Sequence, residues 1–308
     1  MKRGSVAATS LAVLCLLTVS CARLQASARA RAKALSQPNV NPSSAIALSV
    51  LGDSIYLIDP ATGVMKTVAR DLTDFQSGYA AWSPDHRYLA WGNGGIDILD
   101  TATGRIRQLN RGQSLSMPAW SHDGKLIAFG DGTQLWIEKS TGGRAAPLTT
   151  PPSLAPLAAT WYPGRALAFD GLHLDCVDGA SCVSTDSSEV WTVRSDGTGL
   201  RQITRAGHAE NPKWSPDGSQ ILFVRRFTRS KTPRSEAWVV ASNGGAARRL
   251  VPDTDVVAAS WSRDGRQIVL VRRSTVPNTI QVWIESVDGS SARQIAEIVG
   301  GTDATIDW

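Results

Sequence analysis

The sequence predicts an all-β protein, a six-bladed β-propeller with four antiparallel strands in each blade. Three observations lead to this prediction. A tryptophan-centred segment recurs along the chain, a short alternating strand and a glycine turn follow each copy, and the two chain ends carry complementary parts of one further unit. A repeat of about 40–45 residues with four strands is typical of propeller blades.

The first element of the repeat is a strand that ends on tryptophan and runs into a tight turn. In the Ser-Pro-Asp-Gly turn, proline presets φ, aspartate caps the backbone and glycine accepts a positive φ. A second hydrophobic strand follows. The copies occupy 81–91, 119–129, 213–223 and 260–270, with a degenerate copy at 160–169 that lacks the aspartate and a last tryptophan at Trp308.

The second element is a short alternating strand, followed by a glycine turn and a last strand. Such alternation predicts half-buried β-structure. These alternating strands lie at 55–58, 96–99, 135–137, 190–193, 237–240 and 282–284. Each repeat therefore predicts four strands, and we expect the periodic tryptophans to pack between blades rather than to stack on a ligand.

The chain ends complete the ring. Residues 45–70 supply the second, third and fourth strands of a unit, whereas residues 303–308 supply only a first strand. Pairing the N- and C-terminal strands in one blade removes the open sheet edges that would otherwise favour aggregation. Five complete units and this composite unit give six blades over 45–308.

The Trp-Ser-Pro-Asp-Gly segment, followed by a strand, a hydrophobic-aromatic strand and a glycine turn, resembles the WD-like repeat of TolB-type six-bladed propellers. The resemblance covers all of 45–308. The N-terminal α/β domain that TolB itself carries lies outside it. TolB is a soluble periplasmic protein, and the same propeller is an accessory domain of prolyl-oligopeptidase-type enzymes, so the resemblance predicts a fold rather than one function.

The positive charge of the chain is concentrated at its N-terminus. The 308 residues include 32 Lys+Arg and 27 Asp+Glu, a formal charge of +5 with a pI near 9.2. Residues 1–44 hold six basic residues and no acidic ones, which leaves 26 (32 − 6) basic and 27 acidic residues, a net charge of −1, for 45–308. A body without net positive charge or interleaved exposed aromatics argues against nucleic-acid binding.

Residues 1–21 have the pattern of a secretory signal peptide. A basic start precedes an apolar stretch, Val6–Val19, that is shorter than the ~20 residues of a transmembrane helix. The segment Leu17–Cys21 resembles a bacterial lipobox, which predicts acylation of Cys21 and a membrane anchor. The alternative is ordinary cleavage at the A-x-A sequence 26–28.

Residues 22–44 are predicted to form a flexible tether, since they are rich in Ala, Ser and Arg. We therefore expect an exported protein at the cell envelope, either a membrane-anchored lipoprotein or a secreted or periplasmic protein.

Only Cys176 and Cys182 remain in the body, on either side of a turn-like Asp178-Gly179. In an oxidising compartment this spacing predicts a disulfide that closes a short loop, with two free thiols as the alternative. The pair lacks histidine partners and makes a poor zinc site. We expect no metal and no cofactor.

Motifs of catalysis are absent from the sequence: it has no GxSxG elbow, Walker loop or HExxH. His86 and His122 lie in the turns after first strands, and His173 lies near the cysteine loop, where we expect ordinary polar residues. The residue before each repeat tryptophan is mostly small, which favours packing over chemistry. This column reads Ala81, Ala119, Thr160, Lys213, Ser260 and Asp307.

His208 is the only histidine in a connection between blades, and Glu210 and Asn211 follow it. One hypothesis gives His208 and Glu210 a catalytic or metal-binding role together with Asp253 or Asp255. The other is a solvated loop, because propeller loops are usually polar.

The longest connections between second and third strands, at 170–189, 225–236 and 272–280, belong to consecutive blades and emerge on one face. Two of them are basic, against a single acid, Glu236. Arginine clusters suit carboxylates and phosphates, so we predict a docking patch for an acidic partner, with a merely solubilising loop as the alternative. The patch comprises Arg225, Arg226, Arg229, Lys231, Arg234, Arg272 and Arg273.

Together these features predict a monomeric, non-enzymatic binding or scaffold module. Its partner is expected to be an envelope protein or an anionic polymer or lipid headgroup. The alternative is a propeller enzyme, a lyase, hydrolase or lactonase, with its site at the mouth of the central channel.

Overall fold

The computed structural model describes residues 40–70, 72, 78–110, 116–131, 133–162, 164–177, 181–205, 207–228, 234–251 and 255–308. The predicted signal peptide with Cys21, and the tether up to residue 39, lie outside these residues. Nowhere in the described parts is there a helix long and apolar enough to cross a membrane.

The described residues form 24 strands, and every sheet is a four-stranded antiparallel blade. The strands are β1 (Ile46–Val50), β2 (Ser54–Ile58), β3 (Met65–Ala69), β4 (Gly78–Trp82), β5 (Tyr88–Gly92), β6 (Ile96–Asp100), β7 (Ile106–Leu109), β8 (Ser116–Trp120), β9 (Leu126–Gly130), β10 (Leu135–Lys139), β11 (Ala146–Leu148), β12 (Leu154–Trp161), β13 (Ala166–Val177), β14 (Ser181–Arg194), β15 (Arg201–Gln202), β16 (Ala209–Trp214), β17 (Gln220–Phe227), β18 (Arg234–Ala241), β19 (Arg248–Arg249), β20 (Val256–Trp261), β21 (Gln267–Arg273), β22 (Thr279–Ser286), β23 (Ala292–Val299) and β24 (Ala304–Asp307).

Six blades make the ring, as predicted. Blade 1 holds β4–β7, blade 2 β8–β11, blade 3 β12–β15, blade 4 β16–β19 and blade 5 β20–β23. Blade 6 is the composite blade: β24 pairs with β1, from Ala47 opposite Asp307 to Val50 opposite Ala304. The first strands of neighbouring blades contact one another around the ring, so they line the central channel.

The two faces of the ring carry different connections. We call the face with the blade-to-blade connections and the second-to-third-strand connections the hairpin face, and the opposite face the turn face. The long connections predicted as loops on the hairpin face are largely paired strands, with β13 and β14 running on to Val177 and Ser181. Pairing continues because it satisfies backbone groups that a loop would leave to solvent. Cys176 stands opposite Cys182 in this register, and the disulfide stays a prediction.

The turn that follows each first strand is held by its serine. In blades 1, 2, 4 and 5 the serine Oγ donates to the aspartate two residues later at 2.6–2.7 Å. The glycine that follows takes a positive φ, as at Gly124 and Gly218. In blade 3 this turn is one residue shorter, since Trp161 pairs with Leu167 whereas Trp120 pairs with Ile127.

Three of the repeat tryptophans tie their blade to the preceding one by a hydrogen bond, and their burial confirms that they are packing residues. The indole N–H of Trp120 donates to the carbonyl of Ala81 at 3.2 Å, and that of Trp161 donates to Ala119 at 2.9 Å. The Trp261 indole makes the same bond to Lys213 at 3.1 Å. The first strands therefore connect laterally through side chains as well as through packing.

The sequence predicted an ordinary polar turn residue at His86, but the structure shows a buried packing residue. It occupies the glycine position of its turn with φ 55°, is buried, and stacks on Trp82 with the ring centroids 4.9 Å apart. Its Nδ1 lies 3.3 Å from the carbonyl oxygen of Pro42. Burial lowers the pKa of this imidazole, so the histidine packs as a neutral ring and holds the segment that leads into β1.

We predict that Trp161→Phe lowers the free energy of unfolding by about 1–3 kcal/mol more than Trp82→Phe does. Both side chains are buried, with Trp161 7% and Trp82 6% exposed. The Trp161 indole donates to the Ala119 carbonyl, whereas the Trp82 Nε1 has no hydrogen-bond partner in the described part of the chain. Urea denaturation of the two variants measures the difference. Equal losses would show that the indole bond adds nothing beyond packing.

Candidate functional site

The central channel is narrow where the six first strands approach one another. Its cavity is about 40 Å³, and small or apolar residues such as Ala81, Ala158, Ala259 and Ile306 line much of it. A cavity needs roughly 10–15 Å³ to hold one water molecule. This part of the channel therefore admits a few water molecules and no sugar or peptide.

An ion pair crosses the channel. Lys213 Nζ lies 2.9 Å from Asp307 Oδ1, although the two residues belong to blades 4 and 6 and blade 5 stands between them. The other carboxylate oxygen of Asp307 accepts the backbone N–H of Trp82 at 2.9 Å. The residues before the tryptophans are mostly small, as the sequence showed. The two charged ones, Lys213 and Asp307, pair with each other, and their contacts join blades 4, 6 and 1.

At the hairpin-face end of the channel, ionisable residues from several blades come together. We call Tyr79, Asp170, Glu210, Arg226 and Asp303 the mouth cluster. Tyr79 and Glu210 stand near the starts of β4 and β16, and Arg226 stands near the end of β17. Asp170 lies within the long strand β13, and Asp303 directly precedes β24. Tyr79 and Asp303 were not identified from the sequence, and Asp170 was noted only as the start of a long connection.

Asp170 is the most deeply placed acid of the mouth cluster. Its side chain is 4% exposed, and its carboxylate accepts hydrogen bonds from the backbone of Ala158 and Asn211, both of which line the channel. Its Oδ1 has no hydrogen-bond partner among the residues that the structure describes. Burial, with the nearby Glu210 charge, raises the pKa of Asp170 to about 7, because a charged carboxylate loses hydration there.

Glu210 and Arg226 form the ion pair of the mouth cluster. Arg226 Nε lies 2.6 Å from Glu210 Oε2. Burial raises the pKa of Glu210, and the guanidinium partly offsets that rise. Burial also raises the pKa of Tyr79 to about 12, assisted by the charges of Asp303 and Asp170, so this phenol remains a hydrogen-bond donor at neutral pH.

The backbone around the mouth cluster is unusual. Tyr79, Met117, His208 and Asn211 all have positive φ, from 43° to 54°. The pairing of β16 with β17 shifts register between Glu210 and Lys213, and similar shifts occur in β4 and β8. A positive φ at a non-glycine residue costs conformational energy, and such residues concentrate at functional sites. Here these strained residues lie around the mouth cluster.

The predicted basic patch is largely ion-paired. Sequence counting found one acid beside it, but the structure brings three more from other segments. The pairs, with Arg226–Glu210 described above, are Arg234–Glu236 at 3.4 Å, Arg273–Asp255 at 3.2 Å and Arg272–Glu285. The count of seven charges against one acid is therefore corrected. Arg229, Lys231 and Asp253 lie outside the described residues.

Three arginines of the patch also stack on aromatic rings, among them Arg234, whose guanidinium lies 5.4 Å from the Phe227 ring centroid. The Arg225 guanidinium lies 4.9 Å from the ring centroids of both Phe227 and Trp238, and that of Arg272 lies 5.0 Å from Trp283. Guanidinium groups are well suited to such stacking. These side chains stiffen the long hairpins of blades 4 and 5.

Among the described residues, which do not include Asp253, His208 forms no metal site with Glu210 and Asp255. Its Nε2 lies 3.2 Å from Thr228 Oγ1, and its backbone carbonyl accepts the N–H of Arg226 at 3.0 Å. Asp255 instead binds Arg273 and Ser235. Across the described ranges, no group of three or more His, Cys, Asp or Glu side chains is arranged to hold a metal ion.

One sequence signal could have identified Asp170. It directly follows the buried Phe169 of a second strand, where the other blades carry Gly92, Gly130 or an aliphatic residue. A charge at a position that is otherwise small or apolar is a reason to expect a special environment.

Comparison with solved structures supports the fold. TolB from Acinetobacter baumannii matches with 20% identity and a TM-score of 0.66 over 87% of this chain and 67% of that one. A nidogen/laminin complex matches with 14% identity and a TM-score of 0.64 over 85% and 97%. An oligogalacturonate lyase in complex with manganese matches with 14% identity and a TM-score of 0.51 over 79% and 70%.

No protein-family model and no curated protein matches the chain. At these identities the likeness concerns architecture alone. The chain has a TolB-like propeller fold, and its function has to be argued from its own residues.

We predict that Asp170→Asn becomes more stable relative to the unsubstituted protein as pH rises from about 4 to about 8. The folded-state pKa of Asp170 lies above its ordinary value of 3.8, so the cost of ionisation is absent in acid and complete above about pH 7. The difference in unfolding free energy should move by on the order of 1 kcal/mol or more. Urea titrations across this range measure it.

Asp288→Asn is the control, because hydrogen bonds from Ser290 lower the pKa of that exposed carboxyl. Its difference should change little over this range, and only in the opposite direction, because the stabilisation from a lowered pKa is nearly complete above the ordinary value of 3.8. A pH-independent difference for Asp170→Asn would show that the buried carboxylate is not penalised.

Proposed function

We propose that this chain is an exported propeller that binds a protein of the cell envelope through its hairpin face and performs no chemistry on it. The observation that carries the proposal is the extension of three consecutive blades on that face. The hairpins β13–β14, β17–β18 and β21–β22 have arms of seven to fourteen residues, whereas the corresponding strands of blades 1, 2 and 6 have five.

The side chains of these hairpins suit a protein partner. Arginines stacked on Phe227 and Trp238 form a rigid surface, and Val276 at the end of β21–β22 is 54% exposed. Aromatic residues and arginine are enriched where proteins bind one another, and ordered side chains lose little freedom on binding. Three such hairpins in a row provide a continuous surface.

The ion pairs favour a protein over a purely anionic polymer or lipid headgroup. A polyanion would have to displace carboxylates such as Glu210 and Glu285 from their arginines. A protein surface can meet the mixed charges without breaking the pairs. The likeness to TolB, and to a propeller seen in a nidogen/laminin complex, is consistent with protein binding.

The proposal places the protein outside the cytoplasm. The signal-like residues 1–21 and the tether 22–44 support export, and Cys21 would carry a lipid anchor. The Cys176–Cys182 pair, opposite each other in the strand register, would form a disulfide in that compartment.

A second candidate is a propeller enzyme, a lyase, hydrolase or lactonase. The observation that favours it is the buried Asp170, whose pKa lies near 7, in the same mouth cluster as the Glu210–Arg226 pair. Structures of an oligogalacturonate lyase and a gluconolactonase share the fold. Turnover of such a substrate that is lost in Asp170→Asn would favour this candidate over binding.

To test partner binding, we predict that a photoreactive amino acid at Val276 cross-links a discrete envelope protein, while the same residue at Val64 does not. Both valines are exposed, at 54% and 40%, but Val276 lies on the hairpin face and Val64 on the turn face. Irradiation of cells that produce the full chain natively gives the readout. No product from position 276, or the same product from both positions, contradicts the proposal.

To test anchoring, we predict that the full chain incorporates an alkyne-labelled fatty acid in growing cells and that Cys21→Ser abolishes the label. Cys176→Ser keeps the label, because that residue lies within the propeller. An unlabelled parent protein would favour cleavage at 26–28. Label that survives Cys21→Ser would contradict acylation of Cys21.

A further inference from the structure

On the turn face, a groove separates blades 2 and 3. Its volume is about 920 Å³, within the range of small-molecule pockets. Its walls come from the turn 121–126 and the end of β10 in blade 2, and from the start of blade 3. It lies on the opposite side of the ring from the hairpins, so it is independent of the function proposed above.

The groove exists because the stacking of turns is interrupted between blades 2 and 3. In the regular pairs of blades, the glycine of one turn rests on the turn before it. Gly124 faces Pro84, and Gly265 faces Pro216. A side chain at Gly218 would clash with the Tyr162 ring of blade 3.

The shortened turn of blade 3 makes no such contact with blade 2. Gly164 faces only Tyr162 of its own turn, and the Tyr162 ring packs toward blade 4, 4.8 Å from Trp214. On the other wall, His122 stands where blades 1 and 4 have the proline that supports the next turn. Two departures from the repeat therefore open the same gap.

The turn stacking is also interrupted at blade 6, but there residues of the chain itself cross the space. That blade has no first turn, because its first strand is β24. There the space is crossed by Arg263, which donates to the Pro84 carbonyl, and by the Pro42 segment held on His86. Nothing comparable spans the groove among the residues that the structure describes there.

The charged side chains of the groove are mostly basic. Lys125, Lys139 and Arg165 line it against one acid, Asp123, and His122 stands beside them. Asp123 Oδ1 already accepts from Ser121 and from the Lys125 backbone, and Lys125 Nζ lies 3.8 Å from its other oxygen. Within the described part of the chain, Lys139 and Arg165 have no acidic partner.

We propose that this groove binds a ligand carrying two or more carboxylate or phosphate groups. Arg165 on the blade 3 wall and Lys139 on the blade 2 wall provide charge from both sides, and the hydroxyls of Thr141 and Ser195 add hydrogen-bonding groups. Unpaired guanidinium and ammonium groups form strong hydrogen bonds with such anions. The predicted basic patch offers no equivalent, because the arginines of it that the structure describes are already engaged.

The test is isothermal titration of the full chain with tripolyphosphate and, separately, with citrate. We expect at least one of these probes to bind, and the Lys139→Ser/Arg165→Ser variant to bind it at least about tenfold more weakly. The two probes distinguish phosphate from carboxylate recognition. Binding should also weaken as salt is added.

The matched control is Lys66→Ser/Arg266→Ser, which removes the same charge from blades 6 and 5. It should bind like the parent protein. The proposal is overturned if neither probe binds, if the groove variant binds normally, or if both double variants weaken equally. A thermal unfolding curve like that of the parent excludes misfolding of either variant.

Discussion

The antiparallel pairing of β24 with β1 is the interaction on which the structure depends. Without it, β1 would present an unpaired edge, β24 would have no strand partner, and blade 6 would lack its first strand. Every contact across the channel requires that closure. Asp307, on the closing strand, reaches Lys213 of blade 4 and the backbone of Trp82 in blade 1.

The sequence predicts the fold well because the repeat is local. Ser-Pro-Asp-Gly turns, alternating strands and periodic tryptophans each act within one blade or between neighbours, so their spacing alone determines the blade plan. The composite blade followed from counting strands at the two ends. The lengths of the hairpin strands did not, since a polar segment can continue a strand pair as readily as it can form a loop.

The candidate sites were harder to predict because they depend on which residues the ring brings together. Asp170, Glu210 and Asp303 are far apart in the chain, and their effects on one another's pKa arise only once blades 3, 4 and 6 are assembled. The arginines of the hairpins looked unopposed for the same reason, since Glu210, Asp255 and Glu285 come from other strands. For His86 the sequence predicted a polar turn residue, whereas the structure shows a buried ring that stacks on Trp82.

The composite blade also determines when the ring can close during folding. Ala47 finds its partner, Asp307, 260 positions later in the chain (307 − 47), so a growing chain cannot close the ring until nearly all of it has been made. Blades 1 to 5 can assemble in sequence, while β1–β3 wait as a three-stranded sheet with one bare edge. Such distant pairing forms slowly. Until β24 is available, the β1 edge stays unpaired, and such an edge favours association with other chains.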